Sequence, residues 1–174
     1  MLESTLKSGQ FYAYSMIQLL IEPGLFFKEL PGKTSLGRAL GFMAICCTFF
    51  SIASLLTGSY SRSATIMGVI FFVNASGMIL ISSCLGYTAM VMILGKRTSF
   101  TIIFSLYAFS TGVTLFLSWL PFLLYFTEPW KWWLIYTGFK NACNVSWKQA
   151  MLILVLSMTI QFFLMYSAVM AFAS

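Results

Sequence analysis

Thirty-one consecutive residues, Ala64 to Leu94, carry no charge. A helix rises 1.5 Å per residue, so about 20 apolar residues cross a hydrocarbon core of ~30 Å. This stretch has a surplus, which a spanning helix takes up by tilting. A chain holding such a segment folds with lipid as part of its solvent, and every other segment must deliver or receive its ends. The composition agrees. Charged residues make up 8% of the chain, against about 25% in soluble domains. The predicted fold is all-α, a polytopic membrane bundle.

Further spans follow from the breaks between apolar runs. The first is expected over about 36–57, with Ser35 as N-cap and Arg38 snorkelling to the headgroups. The second is 64–94. A third opens at Ser99 and runs to Phe126, bent at Pro121, and a short fourth covers about 128–140. The last, 147–173, starts at the capping-box pattern Ser146-Trp147-Lys148-Gln149. Placing the outer turn near Thr127 keeps Glu128 and Lys131 at an interface. A turn at Ser118–Pro121 would bury both in the membrane, at ~2.5–3.5 kcal/mol each before pairing.

Charge sets the orientation. With five spans, eight of the ten cations (Lys7, Lys28, Lys33, Arg38, Lys96, Arg97, Lys140 and Lys148) share one side, and Arg62 and Lys131 the other. The positive-inside rule then puts the N-terminus in the cytosol and the C-terminus across the membrane. Net charge is +6, but the cations sit between apolar runs rather than on one face, so no nucleic-acid partner is expected.

Residues 1–35 form an extramembrane or interfacial segment. Residues 1–10 are polar, so no signal peptide is expected. Over 11–22, Ser15, Gln18 and Glu22 make one polar stripe, which predicts an amphipathic helix in the interface with that stripe toward water. Phe26 and Phe27 beside Lys28 suit a headgroup-level anchor, as do Trp130, Trp132 and Trp133 at the opposite face.

The candidate chemistry is sparse. The chain has no histidine and four acids, no phosphate-binding glycine loop and no metal-spaced cysteines. No catalytic residue, metal or cofactor is assigned, and an enzyme is not expected. Cys46, Cys47, Cys84 and Cys143 are expected as free thiols. Gly37-x-x-x-Gly41 and Ser82-x-x-x-Gly86 are small-residue pairs that let helices approach closely, within the bundle or in a dimer. Asn74 and Gln161 are the amides within spans, and an amide in hydrocarbon needs a partner. Their depths predict a polar layer with Thr111 and Thr114, in which Asn74 meets Gln161 or one of the threonines.

Several features together resemble the Yip family of five-span membrane proteins. They are Pro23 before Phe26-Phe27, Leu85-Gly86-Tyr87, and the run from Tyr107-Ala108-Phe109-Ser110 through Leu120-Pro121 to Trp133 and Gly138. Ser146 and Ala150 then open the last helix. The resemblance implies a short, prokaryotic-type member with no defined activity, in the bacterial cytoplasmic (inner) membrane. The Asp-Leu-Tyr-Gly-Pro motif of eukaryotic relatives is missing, so Rab-type GTPase binding is not expected. The implied role is a non-catalytic scaffold, partner-binding or membrane-organising protein. Its partners are the lipid bilayer and either further copies or other membrane-protein subunits. The alternative is a small channel or transporter built on the layer around Asn74 and Gln161.

Overall fold

A computed structural model describes the chain except Met1, Ser59, Ser61, Arg62, Lys96, Arg97 and Ser174. The charge argument at Arg62, Lys96 and Arg97 therefore lies outside the described residues. Seven α-helices follow in order: α1 Leu2–Ile21, α2 Pro23–Lys33, α3 Leu36–Thr57, α4 Ala64–Leu94, α5 Phe100–Ser118, α6 Leu124–Ala142 and α7 Trp147–Ala173. Among the described residues there is no strand. Also among them, four helices are long and apolar enough to cross a membrane: α3, α4, α5 and α7 over Trp147–Leu164. α6 holds Glu128, Lys131 and Lys140 and falls outside that set.

Helix ends form where the side chains direct. Ser35 Oγ accepts from the Arg38 N–H at 3.4 Å. Gly95, with φ +60°, supplies the left-handed residue that closes α4. At α7 the Ser146 N–H and hydroxyl both donate to Gln149 Oε1, at 3.2 and 2.8 Å, closing the predicted cap.

The centre of the bundle is α5. Every residue from Ile103 to Ser110 is buried, so this helix is enclosed all round. The longest apolar helix, α4, is peripheral. Its buried residues Ala75, Ile79, Ser83, Gly86, Ala89 and Met90 follow one narrow stripe, flanked by half-buried positions, and the remaining face points outward. Close approach to α5 is made by glycine. A Cβ at Gly86 would stand 2.6 Å from Tyr107 Cε2, at Gly112 2.6 Å from Phe42 Cε1, and at Gly138 2.6 Å from Leu106 Cγ.

α5 and α6 form an antiparallel hairpin. Ser118 pairs with Thr127, Leu106 meets Gly138, and Tyr107 meets Phe139, so residue numbers across the pair sum to nearly one value. The hairpin corrects two expected boundaries. α5 ends at Ser118 rather than Phe126, and α6 begins at Leu124 rather than 128. A short 3-10 turn, Pro121–Leu123, joins them. Pro121 has no N–H to continue the helix, and the residue before a proline is driven from the α region. A bend was the weaker outcome because the turn bonds itself: Leu120 N–H donates to Leu117 O, Leu123 N–H to Leu120 O, and Trp119 Nε1–H to Phe116 O. Glu128 and Lys131, just after the turn, pair at 2.6 Å, one turn apart on α6.

α2 lies across the bundle near one end. Gly24 stands beside Asn141, the Phe26 ring is 5.2 Å from that of Phe109, and Thr34 Oγ1 is 3.1 Å from Ser105 Oγ. In the hairpin register Asn141 is level with Phe104, so both ends of α2 sit at one height and its axis is transverse. This near end gathers the starts of α3, α5 and α7. The far end holds the α3–α4 and α5–α6 turns.

Candidate functional site

Two cavities with polar side chains in mostly apolar walls lie at opposite ends. The near-end cavity, about 250 Å³, lies between α1, α2 and the start of α3. Ser15, Gln18, Glu29, Lys33, Thr34 and Arg38 contribute its polar lining. Glu29 and Lys33 pair at 2.6 Å, and Gln18 Nε2 donates to Glu29 at 3.4 Å. The Lys33 and Gln18 hydrogen bonds hold the Glu29 carboxyl below its ordinary range, and Glu29 holds the Lys33 ammonium above its own. Arg38 lies over the Phe11 ring, 5.1 Å from its centroid.

This arrangement departs in part from the expected stance of the N-terminal helix. Ser15, buried at 1%, and Gln18, half-buried, turn toward the protein, while Glu22, the third residue of the stripe, stays exposed. Tyr14, Ile17, Leu20 and Ile21 face outward instead. The reason is the polar edge of α2, which gives the stripe hydrogen-bonding partners. The aromatic anchor is also corrected. Phe26 and Phe27 are buried in the core against α5, so they hold α2 to the bundle and cannot sit among headgroups, while Lys28 is exposed.

The far-end cavity, about 260 Å³, lies under the α5–α6 turn and is bounded by α3, α4, α5 and α6. Its polar lining is Asn74, Thr111, Thr114, Ser118, Glu128 and Lys131. Three residues of the expected layer thus meet in one space, with Asn74 exposed at the rim. The fourth does not join them. Gln161 Oε1 accepts from Ser82 Oγ at 3.0 Å, and among the described residues no side chain of another helix bonds Asn74. Eight residues separate Asn74 from Ser82, which turns their side chains about 80° apart on α4. The expected Asn74–Gln161 contact is therefore replaced by Ser82–Gln161.

Glu128 and Lys131, expected at an interface, instead line this cavity. Their signal is present in the chain: they are the sole charges between Arg97 and Lys140, and three residues apart they share a helix face. Lys131 Nζ also lies 5.1 Å over the Trp132 ring. Trp130 and Trp132 are half-buried, and Trp133 is exposed. Of the small-residue pairs, Gly86 and Gly41 are tightly packed, Gly41 against Tyr12 of α1, whereas Gly37 faces open space. All four cysteines are free. Among the described residues no cluster of three His, Cys, Asp or Glu is placed to hold a metal.

Long apolar helices around an enclosed central one, with charges confined to the two ends and one intrahelical pair, define an integral membrane helical bundle. The family model of the Yip1 domain matches residues 17–169, and the chain belongs to that family. No curated protein and no solved structure matches it.

Proposed function

We propose that this is a non-catalytic membrane-organising protein that works through the α1–α2 platform at the near end. The observation that carries this reading is the outward apolar face of the platform. Tyr14, Ile17, Leu20, Ile21 and Leu25 are all exposed, while Phe27 and Leu30 lock the platform to α5 and α6. A transverse α2 carrying α1, with an apolar outer face, is suited to bury that face shallowly in one leaflet. Held rigidly to spanning helices, it would widen that leaflet and organise lipid around the bundle.

The accompanying topology has five membrane helices, α3 to α7, in the bacterial cytoplasmic membrane. The near end is cytosolic and the C-terminus lies across the membrane, following the positive-inside reading of the sequence. A channel or transporter draws on the cavity of Asn74, Thr111 and Thr114, and the separation of Gln161 leaves that reading with three of its four residues.

The test is reconstitution into vesicles at rising protein-to-lipid ratio, with diameters read by electron cryomicroscopy. The wild-type chain should narrow the vesicles. Ile17→Asp with Ile21→Asp, both exposed, should insert equally and leave diameters unchanged. Equal narrowing by both would overturn the reading, and a reporter fused after Ser174 that signals from the cytosol would overturn the topology.

A further inference from the structure

The far ends of the helices are not level. Gly86 and Tyr107 fix α4 against α5. From that contact α4 runs 22 more residues to Ala64, about 33 Å, and α5 only 11 to Ser118, about 16 Å. On the other side, Phe49 of α3 is level with Phe116, their rings 4.6 Å apart, and α3 continues to Thr57. The α3–α4 hairpin therefore overhangs the α5–α6 turn by roughly 9–16 Å, on the scale of half a hydrocarbon core.

The overhang is apolar and outward-facing, with Leu56, Ile66, Val69, Ile70 and Val73 exposed, so it belongs in lipid. The lower turn is built for the same surroundings. Phe122, Leu124, Tyr125 and Phe126 are exposed on it, and its backbone bonds close within the turn, as non-helical backbone at membrane depth requires. The Glu128–Lys131 pair and the cavity thus lie inside the far leaflet, one side open.

We propose that this cavity binds the zwitterionic headgroup of a phospholipid from the far leaflet, phosphate toward Lys131 and ammonium toward Glu128. Both signs of charge are present in one small space. Glu128 keeps half of its side chain exposed, and an ammonium donor not committed to its partner remains on Lys131. In hydrocarbon these leftover valences go unsolvated. A headgroup carrying one phosphate and one ammonium satisfies both without adding net charge, whereas a purely anionic headgroup meets the Glu128 carboxylate. The hydroxyls of Thr111, Thr114 and Ser118 and the Asn74 amide offer neutral hydrogen bonds around it. The volume, just under the ~300 Å³ floor of small-molecule pockets, fits a headgroup whose acyl chains stay outside. This site is separate from the α1–α2 platform, and it stands if the platform reading fails.

Native mass spectrometry of the full chain in mild detergent tests it, with three probes: phosphatidylethanolamine, phosphatidylglycerol and soluble O-phosphoethanolamine. Phosphatidylethanolamine should bind, and Lys131→Met should weaken it about tenfold. Glu128→Gln should abolish the preference over phosphatidylglycerol. Lys140→Met, at the near end, should change nothing. If Lys131→Met fails to fold, Glu128→Leu with Lys131→Met removes both charges together and should show the same loss. Wild-type binding by that double variant, or an equal loss in Lys140→Met, overturns the site. Binding of O-phosphoethanolamine as tight as that of the lipid overturns the lipid assignment and gives the cavity to a soluble phosphate compound.

Discussion

The hydroxyl end of the Tyr107 ring packs against Gly86, so that α4 and α5 meet without a side chain on the α4 surface. Cε2 and Cζ of the ring would stand 2.6 and 2.7 Å from an added Cβ. Tyr107 is 1% exposed and its Oη has no hydrogen-bond partner. Ser157 of α7 lies nearby, its hydroxyl proton directed to the carbonyls of its own helix and its oxygen left able to accept.

Gly86→Ala should therefore destabilise the bundle by about 1–3 kcal/mol, since a buried ring has nowhere to move. Tyr107→Phe should be neutral or stabilising, because it removes a buried oxygen that bonds nothing. Denaturant unfolding in detergent micelles measures both, and a Gly86→Ala chain as stable as wild type would show that the ring can retreat.

The ion pair beneath the turn allows a double-mutant cycle. Lys131→Met alone leaves a carboxylate in apolar surroundings and should cost about 2.5–3.5 kcal/mol. Glu128→Leu added to it should recover most of that loss, as replacing both partners of a buried pair often does. Equal losses in single and double variants would place the pair in water.

Ser82 and Gln161 join α4 to α7 by one side-chain hydrogen bond of 3.0 Å. Gln161→Leu should lower stability by only about 0.6 kcal/mol, the average for interhelical bonds in membranes. Asn74→Leu should leave α4–α7 packing untouched. Crosslinking yield between cysteines introduced at the α4–α7 contact distinguishes the two variants.

Docking of α1 on α2 should depend on pH at both extremes. Glu29 titrates below its ordinary 4.5 in the folded chain, so its contribution is present above 4.5 and is lost as pH falls through the lowered value. Lys33 titrates above its ordinary 10.5, so its contribution is present below 10.5 and is lost as pH rises through the raised value. Protection factors of α1 amides in nanodiscs, taken relative to the intrinsic exchange rate at each pH, should be flat between these limits and fall outside them. Glu29→Gln should abolish the acid limb.

Burial pushes the Cys143 thiol up to about 11, so at pH 8 it is overwhelmingly protonated. Alkylation in the folded protein should run at least about tenfold slower than for a free thiol, and unfolding should restore it. Reduction should leave electrophoretic mobility unchanged.

Much of the helical layout is written locally. Charge-free length, Ser35, Gly95 and the Ser146–Gln149 cap mark where α3, α4 and α7 begin or end, because caps and breaks act within a few residues. The family was legible too, in short motifs spread from Pro23 to Ala150. The α5–α6 turn was not. Its position depended on whether Glu128 and Lys131 would find each other, and hydropathy treats each charge alone.

Tertiary structure alone decided which helix is central. Transfer from water scores lipid and protein interior alike, so it ranked α4 first although most of its surface faces outward. Enclosure of α5 comes from shape, from glycines at 86, 112 and 138 receiving Tyr107, Phe42 and Leu106. The same holds for α1, whose Ser15 and Gln18 turned inward once α2 offered Glu29. A stripe records that one face differs from another. Only the partner determines whether that face meets water or protein.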